Sequence, residues 1–152
     1  DFRTTAYFTS VDLGGTAKYQ LSKFTDIDDL QNNASARPAD LIQGINMIRL
    51  PEMYYIAAEC LLDKDYPKAL DYFNEVVTNR GLDALSGEGE ETLTQEVINT
   101  ERYKEMIGEG QTFFNMKRQN LSIPSYDNSV TYRPEDGIYV VPIPDSEYEN
   151  RN

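Results

Sequence analysis

Three glutamates follow one another at four-residue intervals in the second half of the chain. Glu101, Glu105 and Glu109 stand at i, i+4 and i+8, which places them on one face of a helix, with Arg102 and Lys104 beside them in the sequence. Two carboxylates in one cleft can hydrolyse glycosides when an apolar setting raises the pKa of one of them. Acids at this spacing more often form ion pairs, so we expect a structural role for this row.

A second acidic group, Asp26, Asp28 and Asp29, has the oxygen ligands that calcium prefers. An EF-hand loop that starts at Asp26 would need a glycine where Gln31 stands and an acid where Arg37 stands. The EF-hand motif therefore fails, and only a different oxygen cage is left open. We expect no metal site.

Aromatic side chains are abundant, with 11 Tyr and 6 Phe but no Trp. Tyr126, Tyr132 and Tyr139 lie in or near a loop that follows the last helical pattern, where exposed rings could stack on sugar faces. The alternative is that tyrosines fill the sides of helices, with the hydroxyl reaching a polar partner. We expect that second role for four others, Tyr54, Tyr55, Tyr66 and Tyr72.

The composition excludes several kinds of chemistry. The chain has no His, the commonest general base and metal ligand, and a single Cys, which forbids an intrachain disulfide and a cysteine-cluster zinc site. Cys60 falls on an apolar helix face, so we expect a core residue and no nucleophile. There is no phosphate-binding loop, dinucleotide-binding glycine motif or nucleophile elbow. We expect no cofactor.

The charge balance limits the partners. Lys and Arg total 14 against 26 Asp and Glu, a net charge of −12 that repels phosphate backbones and anionic lipid. No apolar run approaches the roughly 20 residues of a membrane-spanning helix. The chain lacks an initiator methionine, and we expect a processed protein or, more in keeping with its opening residues, a fragment of a longer one.

A helical hairpin organises the chain. Residues 49–62 and 68–77 both show the helical period, with a break at residues 63–67. The first arm is predicted to turn inward the residues Met53, Ala57, Cys60 and Leu61. The second arm is predicted to turn inward the residues Ala69, Phe73, Val76 and Val77. Gly81 suits the position just after the second helix.

Weaker patterns flank this hairpin. Residues 1–10 and 16–24 favour an irregular β-hairpin, followed by a polar loop. Further on, Thr92 or Thr94 can cap a helix that reaches about Glu109 with a break at its glycines. A short helix over residues 112–120 and a loop over residues 121–136 follow.

These patterns predict an all-α fold of tetratricopeptide-like helical hairpins with long irregular connections. Residues 1–47 form an irregular, partly extended first segment, and residues 48–152 form the helical region. Because a repeat array needs about three units to bury its faces, and one clear and one degenerate unit are present, we expect further helices elsewhere in a longer protein.

Three motifs occur in order within residues 48–152. They are Arg49-Leu-Pro-Glu52 with Ala58-Glu59, Ala69-Leu-x-x-Phe73-Asn and Gly81; Glu101-Arg102-x-x-Glu105 with Glu109-Gly110 and Phe114-Asn-Met-Lys-Arg118; and Val141-Pro-Ile-Pro144 with Glu147 and Asn150. Together they resemble the C-terminal part of the SusD/RagB family, nutrient-binding lipoproteins of the Bacteroidota outer membrane. The chain departs from the family pattern at Asn115, where an Asp is usual, and Arg80 stands one place later than the family arginine.

The resemblance implies a non-catalytic, surface-exposed protein of the cell outer membrane. Such a protein binds a glycan, or in some members a peptide, and works with a SusC-like TonB-dependent transporter. The resemblance further implies no nucleic-acid partner, and contact with the membrane only through an N-terminal lipid anchor that this chain does not include. Family ligand contacts come largely from loops outside the motifs, so no binding residue is carried over.

The charged residues of the motifs are implied to be structural, as buried or half-buried ion pairs that tie the helices together. They are Arg49, Glu59, Glu101, Arg102, Glu105, Glu109 and Arg118. The alternative function, from the hairpin alone, is a tetratricopeptide-like scaffold for protein interaction without a small ligand.

Overall fold

Five α-helices and two short β-hairpins make up the residues that the computed structural model describes, which are 1–12, 14–24, 48–144 and 147. In chain order the elements are α1 (Arg3–Tyr7), β1 (Phe8–Asp12), β2 (Ala17–Leu21), α2 (Leu50–Leu61), α3 (Tyr66–Thr78), α4 (Gln95–Glu105), α5 (Gln111–Arg118), β3 (Ile123–Pro124) and β4 (Thr131–Tyr132). Single 3₁₀ turns occur at Gly89–Glu91 and Pro134–Asp136. No helix among these residues has the length and apolar character to cross a membrane.

The chain forms two compact units, Asp1–Glu109 and Gly110–Asn152. The first contains α1, the β1–β2 hairpin and the helices α2 to α4, and the second contains α5 and the β3–β4 hairpin. The boundary that the sequence places between residues 47 and 48 stays a prediction, because residues 25–47 lie outside the described part of the chain.

Helices α2 and α3 form the predicted helical hairpin, and local chemistry fixes its ends. Each has a proline in its first turn, where the missing N–H needs no partner. The Asp65 side chain accepts a hydrogen bond from the Lys68 N–H at 3.3 Å and caps α3. Gly81 follows α3 with φ +73°, and a Cβ there would lie 2.7 Å from the Phe2 ring, so a side chain is excluded on two grounds.

The buried core lies between α2, α3 and α4. It consists of Tyr55, Ala58, Ala69, Phe73, Val76, Val77, Leu93 and Ile98. The predicted inward face of α3 is confirmed at all four positions. The predicted role of Tyr54, Tyr66 and Tyr72 is also confirmed, since their rings pack against this core.

Helix α4 begins and ends where side chains and glycines require it. Thr94 caps its first turn by accepting the Val97 N–H at 3.2 Å. The helix ends at Glu105, four residues earlier than predicted, and Gly108 and Gly110 follow with positive φ. A Cβ at Gly108 would lie 2.8 Å from the Phe24 ring, so the chain turns there against the end of the β1–β2 hairpin.

The second unit is small and partly open. Helix α5 ends at Arg118, and Asn120 takes the left-handed conformation (φ 55°) that lets the Leu121 N–H bond to the Met116 carbonyl at 3.0 Å. The β3–β4 hairpin pairs Ile123 with Tyr132. The rings of Phe113 and Tyr139 pack together at 5.6 Å between centroids.

The prediction of an all-α fold is wrong in part. The protein is mostly helical, but β1 pairs with β2 in antiparallel register, Phe8 opposite Leu21, and β3 pairs with β4. The β1–β2 hairpin was expected, but residues 3–7 before it form α1, where a strand was predicted. The predicted strand starts too early because alternation in so short a stretch also fits one helical turn.

The predicted inward face of α2 is wrong in part, since Leu61 packs against the core as predicted but two of the other three positions are exposed. Met53 is 42% exposed and Cys60 is exposed, whereas Tyr55 and Ala58 are fully buried. Apolar residues occur around most of this helix, so periodicity does not decide which side is buried. The large Tyr55 ring, which lies 6.1 Å from that of Phe73, takes the core position instead.

The core makes a direct stability prediction. Replacing Phe73 by Ala should lower the free energy of unfolding by about 3–5 kcal/mol, because the change removes a buried ring and leaves a cavity. Urea denaturation followed by circular dichroism measures this. The matched control is Phe114→Ala, at a ring that is 66% exposed, which should change stability by less than about 1 kcal/mol. Equal losses in the two variants would contradict the assignment of the core.

Candidate functional site

A buried carboxylate at the end of α4 is the centre of the most highly connected polar cluster among the described residues. Glu105 is 0% exposed. Its Oε1 accepts from Arg49 Nη2 at 2.6 Å and from Arg80 Nη2 at 2.9 Å, and its Oε2 accepts from Arg80 Nε at 2.9 Å. The Tyr7 hydroxyl donates to Oε1 at 3.3 Å, and Arg3 Nη1 lies 3.8 Å from Oε2. Three guanidinium groups from distant parts of the chain thus surround one carboxylate.

The other two glutamates of the row extend this cluster along the helix axis. Glu109 Oε1 lies 2.6 Å from both Arg49 Nη1 and Lys23 Nζ. Glu101 Oε2 accepts from Arg3 Nη2 at 2.6 Å, and Glu101 Oε1 pairs with Lys104. We call the set Asp1, Arg3, Lys23, Arg49, Arg80, Glu101, Glu105 and Glu109 the Glu105 network.

The same cations satisfy backbone carbonyls at the C-terminal end of α4. Lys23 Nζ donates to the Glu105 carbonyl at 2.7 Å and to the Ile107 carbonyl at 3.3 Å. Arg49 Nη1 donates to the Glu105 carbonyl at 2.9 Å. Positive charge at this end of a helix is favourable because the last carbonyls carry partial negative charge. The network therefore closes the helix as well as neutralising its acids.

The electrostatics of the cluster oppose a catalytic role for Glu105. Burial acts to raise the pKa of this carboxyl, but the hydrogen bond and charge of Arg80, with Arg49 and Arg3, lower the pKa below its usual range. A general acid for glycoside hydrolysis needs the reverse, a carboxyl with a raised pKa in contact with substrate. With no exposed surface, Glu105 does not meet that requirement.

A separate buried ion pair joins α4 to α2. Arg102 Nη2 donates to Glu52 Oε1 at 2.7 Å. Three buried polar atoms lie nearby: Arg102 Nε, Arg102 Nη1 and the Tyr55 hydroxyl. None of them has a hydrogen-bond partner among the described residues. Burial raises the pKa of Tyr55, so its hydroxyl stays protonated. Arg102 is thus close to the Glu105 network in sequence but forms its ion pair with another helix.

Glu59 and Arg118, the two remaining residues of the predicted structural ion pairs, lie outside the Glu105 network. Glu59 is half-buried near the end of α2, about 15 Å along the helix from Arg49. Arg118 lies in the second unit, where its Nη2 donates to Asn115 Oδ1 at 2.8 Å.

Sequence reasoning missed Asp1, Arg3 and Lys23 of the Glu105 network, and also Tyr7, whose hydroxyl donates to Glu105. Asp1, Arg3, Tyr7 and Lys23 were assigned no role, although Arg3 is the one buried side chain of the described residues before residue 25. No periodic signal marks them, because their partners are up to 98 residues away. Arg80 could have been recognised from the sequence, because it stands one place later than the arginine of the family motif.

The three candidate tyrosines fall into two classes. Tyr126 is fully exposed and Tyr132 is half exposed, both in the β3–β4 hairpin. The candidacy of Tyr139 for stacking on a ligand is wrong. Its side chain is only 8% exposed, its ring packs against Phe113, and its hydroxyl donates to the Leu121 carbonyl.

One carboxylate oxygen accepts three hydrogen bonds within the loop that carries Tyr126. Asp127 Oδ1 accepts from Ser125 Oγ and Ser129 Oγ at 2.7 Å each, and from the Ser129 N–H at 3.1 Å. These hydrogen bonds, chiefly the one from Ser125, lower the pKa of Asp127 to about 2. The tip is therefore organised across the physiological pH range, with the Tyr126 ring exposed to solvent.

A cleft of about 360 Å³ opens between the start of α2 and the end of α3. Its lining residues are Leu50, Pro51, Tyr54, Glu75, Val76, Asn79 and Arg80. Arg80 is thus shared between this cleft and the Glu105 network.

Within the described part of the chain, no group of three or more Cys, Asp or Glu side chains could hold a metal ion. Asp26, Asp28 and Asp29, the weak calcium candidates, lie outside the described residues.

Comparison with known proteins gives a consistent family. The model of the SusD family matches residues 3–152. The similarity therefore extends well upstream of the motifs at residues 48–152. A search of curated protein sequences gave no significant match.

Among solved structures, the chain is similar to a SusD-like carbohydrate binding protein from Bacteroides vulgatus, with a TM-score of 0.65 and 20% sequence identity. The alignment covers 97% of this chain and 37% of that protein. The chain therefore spans well under half the length of its structural relative, and the likeness concerns the fold.

The Glu105 network predicts how much the free energy of unfolding falls when Glu105 loses its charge. Glu105→Gln should lower the free energy of unfolding by about 3–5 kcal/mol, because it leaves buried guanidinium groups without their carboxylate. The control is Glu96→Gln on the exposed side of the same helix, which should cost less than about 1 kcal/mol. Chemical denaturation at pH 7 compares the two, and a similar cost for both would contradict a central role for Glu105.

The lowered pKa of Glu105 predicts a pH dependence. Because the pKa is lower in the folded state than its ordinary value of 4.5, the stabilisation is fully present above about pH 4.5 and is lost as the pH falls through the folded value. Unfolding free energies measured from pH 7 to pH 3 should therefore decline. The decline should be shallower in Glu105→Gln, and equally steep curves would place the acid sensitivity in other carboxylates.

Proposed function

The chain belongs to the SusD family, and on that premise we propose that it forms part of a receptor that binds glycans at the surface of the bacterial outer membrane. In this proposal the receptor is a non-catalytic lipoprotein. It works with a SusC-like TonB-dependent transporter, to which it presents its ligand.

The observation that carries the proposal is the family match over residues 3–152. It is supported by the likeness in fold to a SusD-like carbohydrate binding protein. The Glu105 network adds a physical argument, since the row Glu101, Glu105 and Glu109 is occupied by ion pairs and the pKa of its central carboxyl is lowered. The residues that suggested glycoside hydrolysis thus serve the fold, which favours binding over turnover.

The β3–β4 hairpin is the part of this chain best suited to touch a sugar. Tyr126 stands at its tip with both ring faces free, and Tyr132 follows on β4 with half of its surface exposed. Hydrogen bonds to Asp127 fix the loop, so little freedom is lost when a ligand stacks on the ring. The net charge of −12 favours neutral sugars over acidic ones.

A protein-interaction scaffold without a small ligand is the second candidate. The exposed side of α2 favours it, because Leu50, Met53 and Ile56 leave an apolar stripe in water beside the cleft between α2 and α3. Isolation of the full-length protein from outer membranes distinguishes the two. Recovery of a large transporter together with sugar binding supports the receptor, and recovery of a partner with no affinity for any sugar supports the scaffold.

The primary test is titration calorimetry of the full-length protein with neutral oligosaccharides, acidic oligosaccharides and short peptides. We expect saturable binding of a neutral oligosaccharide. Binding of peptides alone would indicate a peptide-binding receptor of the same family. Binding of neither oligosaccharides nor peptides would refute the receptor proposal.

The hairpin gives a residue-level prediction. Tyr126→Ala should weaken binding of the neutral oligosaccharide about tenfold, because an exposed, preorganised ring contributes on the order of 1.4 kcal/mol when it stacks on a ligand. The matched control is Tyr103→Ala, at a half-exposed ring on α4 outside the hairpin, which should bind as the parent does. Equal affinities of all three proteins would remove Tyr126 from the binding surface while leaving the receptor proposal intact.

A further inference from the structure

The N-terminal residues form an element with very little buried apolar surface. We call residues 1–12 and 14–24 the N-terminal strap, and helices α2, α3 and α4 the helical core. Arg3 is the only buried side chain of the strap, and every residue of β2 is exposed. The buried core cluster and the apolar side chains packed on it contain no residue of the strap.

Charged and polar contacts hold the strap at three points. At its start, the Phe2 N–H donates to the Arg80 carbonyl at 2.8 Å, and Arg3 pairs with Glu101 at 2.6 Å. In the middle, the Tyr7 hydroxyl donates to Glu105. At its end, Lys23 meets Glu109 and the last carbonyls of α4.

The apolar side chains of the strap are at most partly buried. The Phe2 ring lies over Gly81 but is 66% exposed, and the Leu21 and Phe24 side chains lie against Gly108. Since no apolar side chain of the strap is among the buried residues, burial of apolar area contributes less to the attachment of the strap than to the helical core.

We propose that the N-terminal strap is an acid-sensitive latch, which the Glu105 network holds on the helical core and which opens as one unit while α2, α3 and α4 stay folded. The basis is the contrast within the first unit. The helical core is joined by buried apolar side chains, whereas the strap is joined by ion pairs to one face of α4. Local opening of such an element costs less free energy than global unfolding.

Protonation of Glu105 provides the opening force. The groups that face Glu105 within the described part of the chain are Arg3 and Tyr7 of the strap, Lys23 after β2, Arg49 before α2, Tyr55 of α2, Arg80 after α3, and Glu101 and Glu109 beside it. When the Glu105 carboxylate becomes neutral at low pH, the Arg3 guanidinium of the strap lies beside those of Arg49 and Arg80 without the negative charge that compensates them. Their mutual repulsion then favours the open state.

Amide hydrogen exchange measured by NMR on the whole chain tests the latch. The reporters are the Phe2 N–H, which bonds to Arg80, and the amides of α1, compared with amides in the middle of α2 and α3. The test variant is Arg3→Gln with Lys23→Gln, which removes the two strap cations that pair with Glu101 and Glu109 and leaves the core carboxylates with Arg49 and Arg80. The control is Lys18→Gln on exposed β2.

In the test variant at pH 7, strap amides should exchange about 100-fold faster, since buried ion pairs are broken, and core amides should keep their rates within about threefold. The control should match the parent. In the parent protein, lowering the pH from 7 to 3 should reduce protection of the strap before that of the core, because the lowered pKa of Glu105 keeps this carboxylate charged down to about pH 4.5. The proposal is overturned if strap and core amides lose protection together, if the double variant unfolds throughout, or if strap protection is unchanged.

Discussion

The fold of the first unit depends on one buried charge. Glu105 has no exposed surface, and a carboxylate in that position is tolerated only when cations and hydrogen-bond donors surround it. Arg3, Arg49 and Arg80 meet that requirement from three places in the chain: the N-terminal helix, the residue before α2 and the residues after α3. A change in the position of any of these segments would leave charge uncompensated, so the carboxylate specifies how they are placed around α4.

The Glu105 network also explains why α4 ends where it does. The cations that neutralise the glutamate row donate to carbonyls in the last turn, and Gly108 then lets the chain turn away with positive φ. One set of side chains therefore closes a helix, binds its neighbours and pairs all three glutamates of the row. The proposed contact with sugar lies at the hairpin tip that carries Tyr126, outside this network.

The sequence predicted the features that local forces decide. The buried face of α3 and the cap at Thr94 follow from period and residue type within one or two turns. The buried face of α2 could not be predicted, because apolar side chains surround that helix and only its neighbours select Tyr55 over Met53. The glutamate row could be recognised, but its partner Arg3 could not, since ion pairs across 98 residues leave no periodic trace. Tertiary packing decides which candidate tyrosines are exposed: Tyr126 and Tyr132 remain in contact with solvent, whereas Tyr139 is buried against Phe113.

The Glu105 network has a consequence for the outside of the molecule. It contains four cationic and four anionic side chains, namely Arg3, Lys23, Arg49, Arg80, Asp1, Glu101, Glu105 and Glu109. Because these eight charges cancel, the whole excess of −12 is carried by residues outside the network. Copies brought close together would repel one another over a range of about 8 Å at physiological ionic strength. Dense lateral arrays of this chain would therefore require counter-ions between neighbouring molecules.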